Sequence, residues 1–244
     1  MLVNRAGELG AALAALIDRR MAEFVEMLGE KPRHWLEIGP GSGLLSAIAA
    51  NHGGTWRGVE IDQEMAADMI ARGLDVIQGD FSSMEPRRLF LPAVAGQGGF
   101  DIIFLSQVLE HVCDPARFLV NARAALRPGG IIYLDVPNDG GLTAIVRRLN
   151  RRANAYGEVV PPYHMVAYGA DTLAYALENA GFERVTTKVA SYNDDVYGLA
   201  HARIYGNAKL QAVWTASRLL GLGGNLVGMA QRPVNDSNGV AVAC

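Results

Sequence analysis

The chain has 244 residues, 50% apolar and 19% charged, which provides for a sizeable core and excludes an intrinsically disordered protein. A net charge of −3 and a pI near 6.0 give no global basic field for a nucleic-acid backbone. Two cysteines, Cys113 and Cys244, are too few for a disulfide framework or a four-thiolate zinc site, and no apolar run approaches the ~18 residues of a membrane span.

The apolar stretch at residues 9–17 is short, follows Glu8 and lacks a basic leader. It does not read as a signal peptide. The expectation is a soluble, cytoplasmic protein of one domain. Leu9, Leu13, Leu16, Ile17, Phe24 and Leu28 recur at helical spacing, so the first 30 residues read as a helix stopped before Pro32. Strands and helices then alternate. His34-Trp35-Leu36-Glu37-Ile38 is a strand and 44–51 a helix. Residues 56–61 form a second strand, 63–72 a helix with Asp62 as its cap, and 75–77 a short third strand. Residues 101–105 are a fourth strand. Residues 115–126 are a helix, with Asp114 as cap and Pro115 in its first turn. Pro128-Gly129-Gly130 predicts a turn before a fifth strand at 131–136. Further on, 140–155 reads as a helix broken by Pro161-Pro162. Residues 171–180 form a helix capped by Asp171 and stopped by Gly181. Residues 182–190 and 226–230 are strands with a helix at 208–220 between them, and the chain from Pro233 onward reads as a tail. Such alternation with continuously apolar strands predicts an α/β domain built on a mostly parallel sheet.

The first strand runs into Gly39-Pro40-Gly41-Ser42-Gly43. Glycines at alternate positions permit a sharp turn and let a ligand touch backbone, and the next helix starts at once. Leu44 stands where a nicotinamide-binding G-x-G-x-x-G would need its last glycine, so that fingerprint fails. Glu60 closes the second strand about 20 residues later, the offset of a ribose-binding acid in nucleotide-binding α/β sheets. Gly79-Asp80-Phe81 follows the third strand. Asp80 is suited to an adenine amino group and Phe81 to the ring, with an ordinary Asp turn as the plainer alternative.

Together, residues 36–43, Val59-Glu60, Gly79-Asp80-Phe81, 100–111, 126–130 and Val136-Pro137-Asn138 resemble, in order, the class I S-adenosylmethionine-dependent methyltransferases. They look most like the small-molecule branch that includes the ubiquinone-type O-methyltransferases. The resemblance is strong over 34–138 and weak beyond. It implies a Rossmann-like, seven-stranded, mostly parallel sheet with helices on both faces and an antiparallel hairpin at one edge. The implied organisation is a helical cap at 1–33, a methyltransferase domain at 34–232 with 139–168 covering the acceptor, and a tail at 233–244. S-adenosylmethionine is the implied cofactor. Gly39, Gly41 and Gly43 would approach its methionine and ribose portions. Glu37 would orient the loop or hold the amino end, and Glu60 with Ile61 would meet the ribose side. Asp80 and Phe81 would read adenine, and Ser106 and Gln107 would lie beside the sulfonium.

Methyl transfer chiefly needs alignment of donor and acceptor. A base is needed only where the acceptor must lose a proton, and His164 and His111 are the candidates. His111 has a structural alternative, a bond to a loop carbonyl. Tyr163 and Asn138 are expected beside the acceptor. Arg147, Arg148, Arg151 and Arg152 form either a solvated face or a clamp for an anionic acceptor. Pro161-Pro162-Tyr163 does not follow the fourth strand, so it is not the motif of nucleic-acid amino-methyltransferases. No acid ends the fourth strand, so no metal is expected. The leading expectation is methylation of a small molecule, most simply at oxygen. The rivals are methylation of a peptide or protein side chain, and a non-catalytic cofactor-binding partner protein. Intact Glu60 and Asp80 weigh against the last.

Overall fold

The computed structural model describes residues 2–149, 159, 163–190, 217 and 220–235. Helix α1 (Leu2–Leu28) precedes β1 (His34–Ile38), α2 (Leu44–Asn51), β2 (Thr55–Glu60), α3 (Gln63–Ala71) and β3 (Val76–Gln78). Then come α4 (Pro92–Gly96), β4 (Phe100–Ser106), α5 (Pro115–Ala125), β5 (Leu126–Pro137), α6 (Leu142–Leu149) and α7 (Ala170–Asn179). Strands β6 (Glu183–Val189) and β7 (Asn225–Gln231) complete the order. Seven strands form one sheet in the order β3-β2-β1-β4-β5-β7-β6. The first five pair in parallel, and β7 runs antiparallel between β5 and β6.

Both faces of this sheet are apolar, so side chains alternate between two cores. Leu36, Ile38, Ile103, Leu105, Ile132 and Leu134 point into one core, with Phe118 and Leu119 of α5 and Leu173 and Leu177 of α7. Trp35, Ile102, Phe104, Ile131 and Tyr133 point into the other, with Leu16, Ile17 and Phe24 of α1 and Leu45 and Ile48 of α2. Here Tyr133 stacks on Phe104 at 5.0 Å, and Phe24 meets Tyr133 edge-on at 5.8 Å. The N-terminal helix is therefore one wall of this second core.

Three expectations change. Pro128-Gly129-Gly130 does not separate helix from strand, because β5 runs through it from Leu126. Gly129, at φ 75°, takes up the irregularity, and its N–H bonds the carbonyl of Arg232. Asp171 does not cap α7. The cap is Gly169, whose N–H and carbonyl are both held by the Thr172 hydroxyl, and Asp171 lies in the first turn where the helix dipole favours an acid. Residues 81–97 hold two short 3-10 turns, Phe81–Ser83 and Pro86–Leu89, and α4, where no element was anticipated. Asp62 and Asp114 cap α3 and α5 as expected, accepting from Met65 and Arg117 N–H. The helix expected at 208–220 and most of the tail lie outside the described residues, as does the second half of the one expected at 140–155.

At the opposite edge from the strand C-termini, Asp101 ties the chain together. Its carboxylate accepts from the backbone N–H groups of Arg33 and His34 at 2.9 and 2.8 Å and from Arg127 Nε at 2.5 Å. Burial alone would raise its pKa, but the Arg127 guanidinium and the two N–H groups outweigh it and hold the carboxyl below its usual range. A depressed acid stabilises the fold above its unfolded pKa, ~3.9. That contribution is lost as pH falls through the lower folded value. Asp101→Asn should cost about 2–4 kcal/mol at pH 7. The gap to wild type should close in denaturant titrations carried toward pH 3, and a gap independent of pH would exclude the ionised role.

Candidate active site

Because β1 to β5 run parallel, their C-terminal ends all open on one side of the sheet, where α/β sheets bind ligands. Many of the expected site residues lie along this edge. After β1 the chain turns through Gly39, Gly41 and Gly43, at φ 69°, 56° and 73°. A Cβ at Gly39 would come within 2.7 Å of Val108, and one at Gly43 within 2.6 Å of Leu74. Gly41 differs, since a Cβ there would meet nothing within 4 Å. Its left-handed backbone faces open space, the arrangement of a loop that receives a ligand against its main chain. The loop is fastened from behind. Gly39 N–H bonds Val59 O, Ser46 Oγ bonds Gly43 O, and Arg72 donates to Ser42 O. No side chain caps α2 at Gly43, so its first-turn N–H groups keep a positive helix end at the loop.

Glu37 and Glu60 stand on neighbouring strands, both nearly buried. Glu37 accepts from the Trp56 indole N–H at 2.9 Å. Burial pushes its pKa up, the Trp56 bond lowers it, and the charge of Glu60 raises it further, to about 8. Glu37 is therefore protonated at neutral pH, which removes the repulsion a second carboxylate would exert on Glu60. Glu60 Oε1 accepts from Asp62 N–H at 3.0 Å, and Ile61 beside it is 66% exposed.

Asp80 caps the first 3-10 turn through Ser82 N–H and the Ser83 hydroxyl. Burial opposes ionisation there, but these bonds and the Arg117 charge prevail, so its carboxyl sits below the ordinary range. Phe81 departs from the expectation. Its ring lies in the core against Phe118, centroids 5.0 Å apart, because the turn directs it inward.

At the end of β4, Gln107 adopts φ 55°, uncommon for a residue with a Cβ. Its N–H bonds Asp135 O and its amide bonds Asp135 Oδ2 at 2.8 Å. Ser106 is half-buried beside it. Asn138 serves the loop rather than the space above it. Its amide donates to Gly223 O and accepts from Gly140 N–H. Arg148 pairs with Asp139. Arg147 lies on α6, while Arg151 and Arg152 lie outside the described residues.

The chain bridges back over this edge at residues 163–168. Tyr163 is exposed, and its carbonyl accepts from His111 Nδ1 at 2.5 Å. His111 and His164 meet edge to face with ring centroids 5.0 Å apart. Glu110, Tyr168 and Asp135 were not selected as site residues from sequence. Glu110 is fully buried, and among the described residues neither carboxyl oxygen has a hydrogen-bond partner. Burial raises its pKa to about 7, offset only in part by its own backbone N–H. Burial and then the Glu110 charge push the Tyr168 phenol well above its ordinary value. The signal for Glu110 was its place directly before His111 in Leu109-Glu110-His111.

The Glu37 shift has a measurable sign. An acid raised from ~4.3 in the unfolded chain to about 8 stabilises the fold only at low pH, and this is lost as pH rises between the two values. Glu37→Gln keeps the acceptor for Trp56 without the ionisation. Its stability relative to wild type should grow by up to about 1.4 kcal/mol per pH unit between pH 5 and 8. Parallel curves in urea titrations would show that Glu37 ionises freely.

A family model described as a methyltransferase domain matches residues 11–187. Ubiquinone biosynthesis O-methyltransferase of Coxiella burnetii is 30% identical over 119 residues, 49% of this chain and 50% of that protein. The chain thus aligns with about half the length of such relatives. The protein of that name from Bordetella bronchiseptica is 25% identical over 177 residues, 68% of this chain and 69% of its own. Among solved structures, a SAM-dependent methyltransferase from Archaeoglobus fulgidus shares the fold at TM-score 0.57 and 16% identity, over 89% of this chain and 94% of its own. Phosphoethanolamine N-methyltransferase 2 of Haemonchus contortus, solved with S-adenosyl-L-methionine, does so at TM-score 0.57 and 15% identity, over 88% of this chain and 52% of its own. With the family model spanning residues 11–187, this chain belongs to the methyltransferase domain family.

Proposed function

We propose that this chain transfers a methyl group from S-adenosylmethionine to oxygen on a small-molecule acceptor. The observation that carries the reading is the open, left-handed backbone at Gly41 with Glu60, Asp80 and Gln107 along the same strand ends. A donor set of loop backbone, ribose-side acid and adenine-side acid suits an adenosyl ligand. In this reading Glu37 orients the glycine loop or holds the amino end, Glu60 and Ile61 meet the ribose side, and Ser106 and Gln107 flank the methionine position. The cofactor supplies a methyl group on a sulfonium, whose leaving sulfur keeps the bonding pair. The protein's work is then to align the acceptor oxygen and take its proton. His164 and His111, whose rings meet edge to face, stand at the same sheet end as Gln107. Tyr163, exposed beside them, forms in this reading a wall of the acceptor pocket.

The O-methyltransferase names of the relatives support oxygen as the acceptor atom, as does a pair of imidazoles able to take a proton. No helix among the described residues is long and apolar enough to cross a membrane, which suits an acceptor delivered from water.

Three outcomes test this. Calorimetry should show S-adenosylmethionine binding at micromolar strength, and Gly41→Leu should abolish it while the fold persists; unchanged affinity would remove the central claim. Glu60→Ala should weaken binding by about 1.5–3 kcal/mol. That loss should nearly vanish with a 2′,3′-dideoxyribose analogue. Incubation with deuteromethyl-labelled S-adenosylmethionine and a panel of phenols, alcohols, thiols and amines should give a labelled methyl ether by mass spectrometry. On that acceptor His164→Gln should lower kcat by ~10²–10⁴ with cofactor affinity retained. Label on nitrogen or sulfur alone would overturn the oxygen assignment.

A further inference from the structure

We infer that Glu110 is a positioning residue that shares a proton with His111 and so makes the His111–His164 pair a proton sink for the acceptor. The inference rests on the methyl-transfer reading for its purpose, and on geometry for its substance. The carbonyl of Tyr163 can only accept, so His111 Nδ1 must carry hydrogen. Neutral His111 therefore presents a bare Nε2. That atom lies 3.8 Å from Glu110 Oε1, within ion-pair range but longer than a hydrogen bond. His164 belongs to the same cluster. One carboxyl oxygen of Glu110 and one ring nitrogen of each histidine lie within 4.8 Å of one another.

Burying a carboxyl that, among the described residues, meets no hydrogen-bond partner beyond its own backbone N–H is costly, and such groups call for a specific explanation. Glu110 is not left there by a loose backbone. Its carbonyl accepts from Met165 and Val166 N–H, so the segment carrying His164 is fastened to the residue whose side chain faces the imidazoles. Every titratable neighbour points to a shared proton. From its own turn Glu110 faces His111. From residues 163–168 it meets His164 and Tyr168, whose phenol feels the Glu110 charge. From β5 the acid at this sheet end is Asp135, engaged by Gln107. Among the described residues no lysine or arginine forms an ion pair with it. Burial raises the carboxyl to about 7, so it can hold a proton at neutral pH beside the imidazoles.

In the step, the acceptor oxygen forms the new O–C bond to the methyl group as the methyl–sulfur bond breaks and its pair leaves on sulfur, and the acceptor O–H bond breaks with its pair staying on oxygen. The proton passes to a bare imidazole nitrogen and is held between His111 Nε2 and Glu110, from which it leaves to water. No oxidant, reductant or further reactant is needed.

The whole chain, labelled with ¹³C-glutamate, can be titrated by NMR from pH 5 to 9, with Glu110→Gln identifying the signal. The Glu110 carboxyl should titrate near 7. In His111→Asn its midpoint should move up by half a unit or more, because the partner able to take the proton is gone. An unmoved midpoint would overturn proton sharing, whether or not the chain turns over. With the acceptor found above, Glu110→Gln should lower kcat about 10–100-fold. KM and cofactor affinity should stay within twofold, the limb of the pH–rate profile that rises through pH 7 should vanish, and Glu110→Asp should restore part of it. A uniform loss with the limb intact would make Glu110 merely structural. One equivalent of a divalent cation found by elemental analysis of the wild type, and lost in Glu110→Gln, would also overturn the proposal.

Discussion

Parallel pairing of five strands is the constraint on which the rest depends. Main-chain ladders fix Ile38 beside Val59 and Leu105, and Ser106 beside Asp135. A slip of one residue in any pair would exchange the two cores, because alternate side chains face opposite sides. Once the register holds, the segments after β1, β2, β3, β4 and β5 emerge together. The glycine loop, Glu60, Asp80, Gln107 and Asn138 come from strands far apart in the chain. They share an edge only because the ladders place their strand ends level.

The two ends of the sheet are specialised differently. At the entry end, Asp101 gathers Arg33, His34 and Arg127 in an ionised network. That network serves cohesion. At the exit end, polar groups are left poised: an open left-handed turn at Gly41, a non-glycine residue at positive φ in Gln107, and a buried carboxyl at Glu110. The stability of the double core makes such strain and such buried polar groups tolerable.

Two carboxyl groups of this chain, Glu37 and Glu110, are raised toward neutrality for the same main cause, burial. Their surroundings give them different work. Glu37 has a fixed indole partner on β2 and is held there by that hydrogen bond. Glu110 has no such partner among the described residues and faces two imidazoles.

What the sequence determined by itself was local and periodic. Continuous apolar strands, Asp caps at 62 and 114, and glycines at 39, 41 and 43 carry their information within a few residues, as does the acid that ends β2. The α/β order, the glycine turn and the family were therefore legible. The Pro-Gly-Gly at 128–130 misled, because its pairing with the end of β7 draws it into a strand. Phe81 misled because neighbouring residues do not reveal that its turn aims the ring at Phe118. Only the tertiary structure brought Glu110 and His111 under His164, which lies more than fifty residues onward in the chain. Burial, which sets the proton affinity of Glu37 and Glu110, depends on everything packed around a group, and no pattern along one strand encodes it.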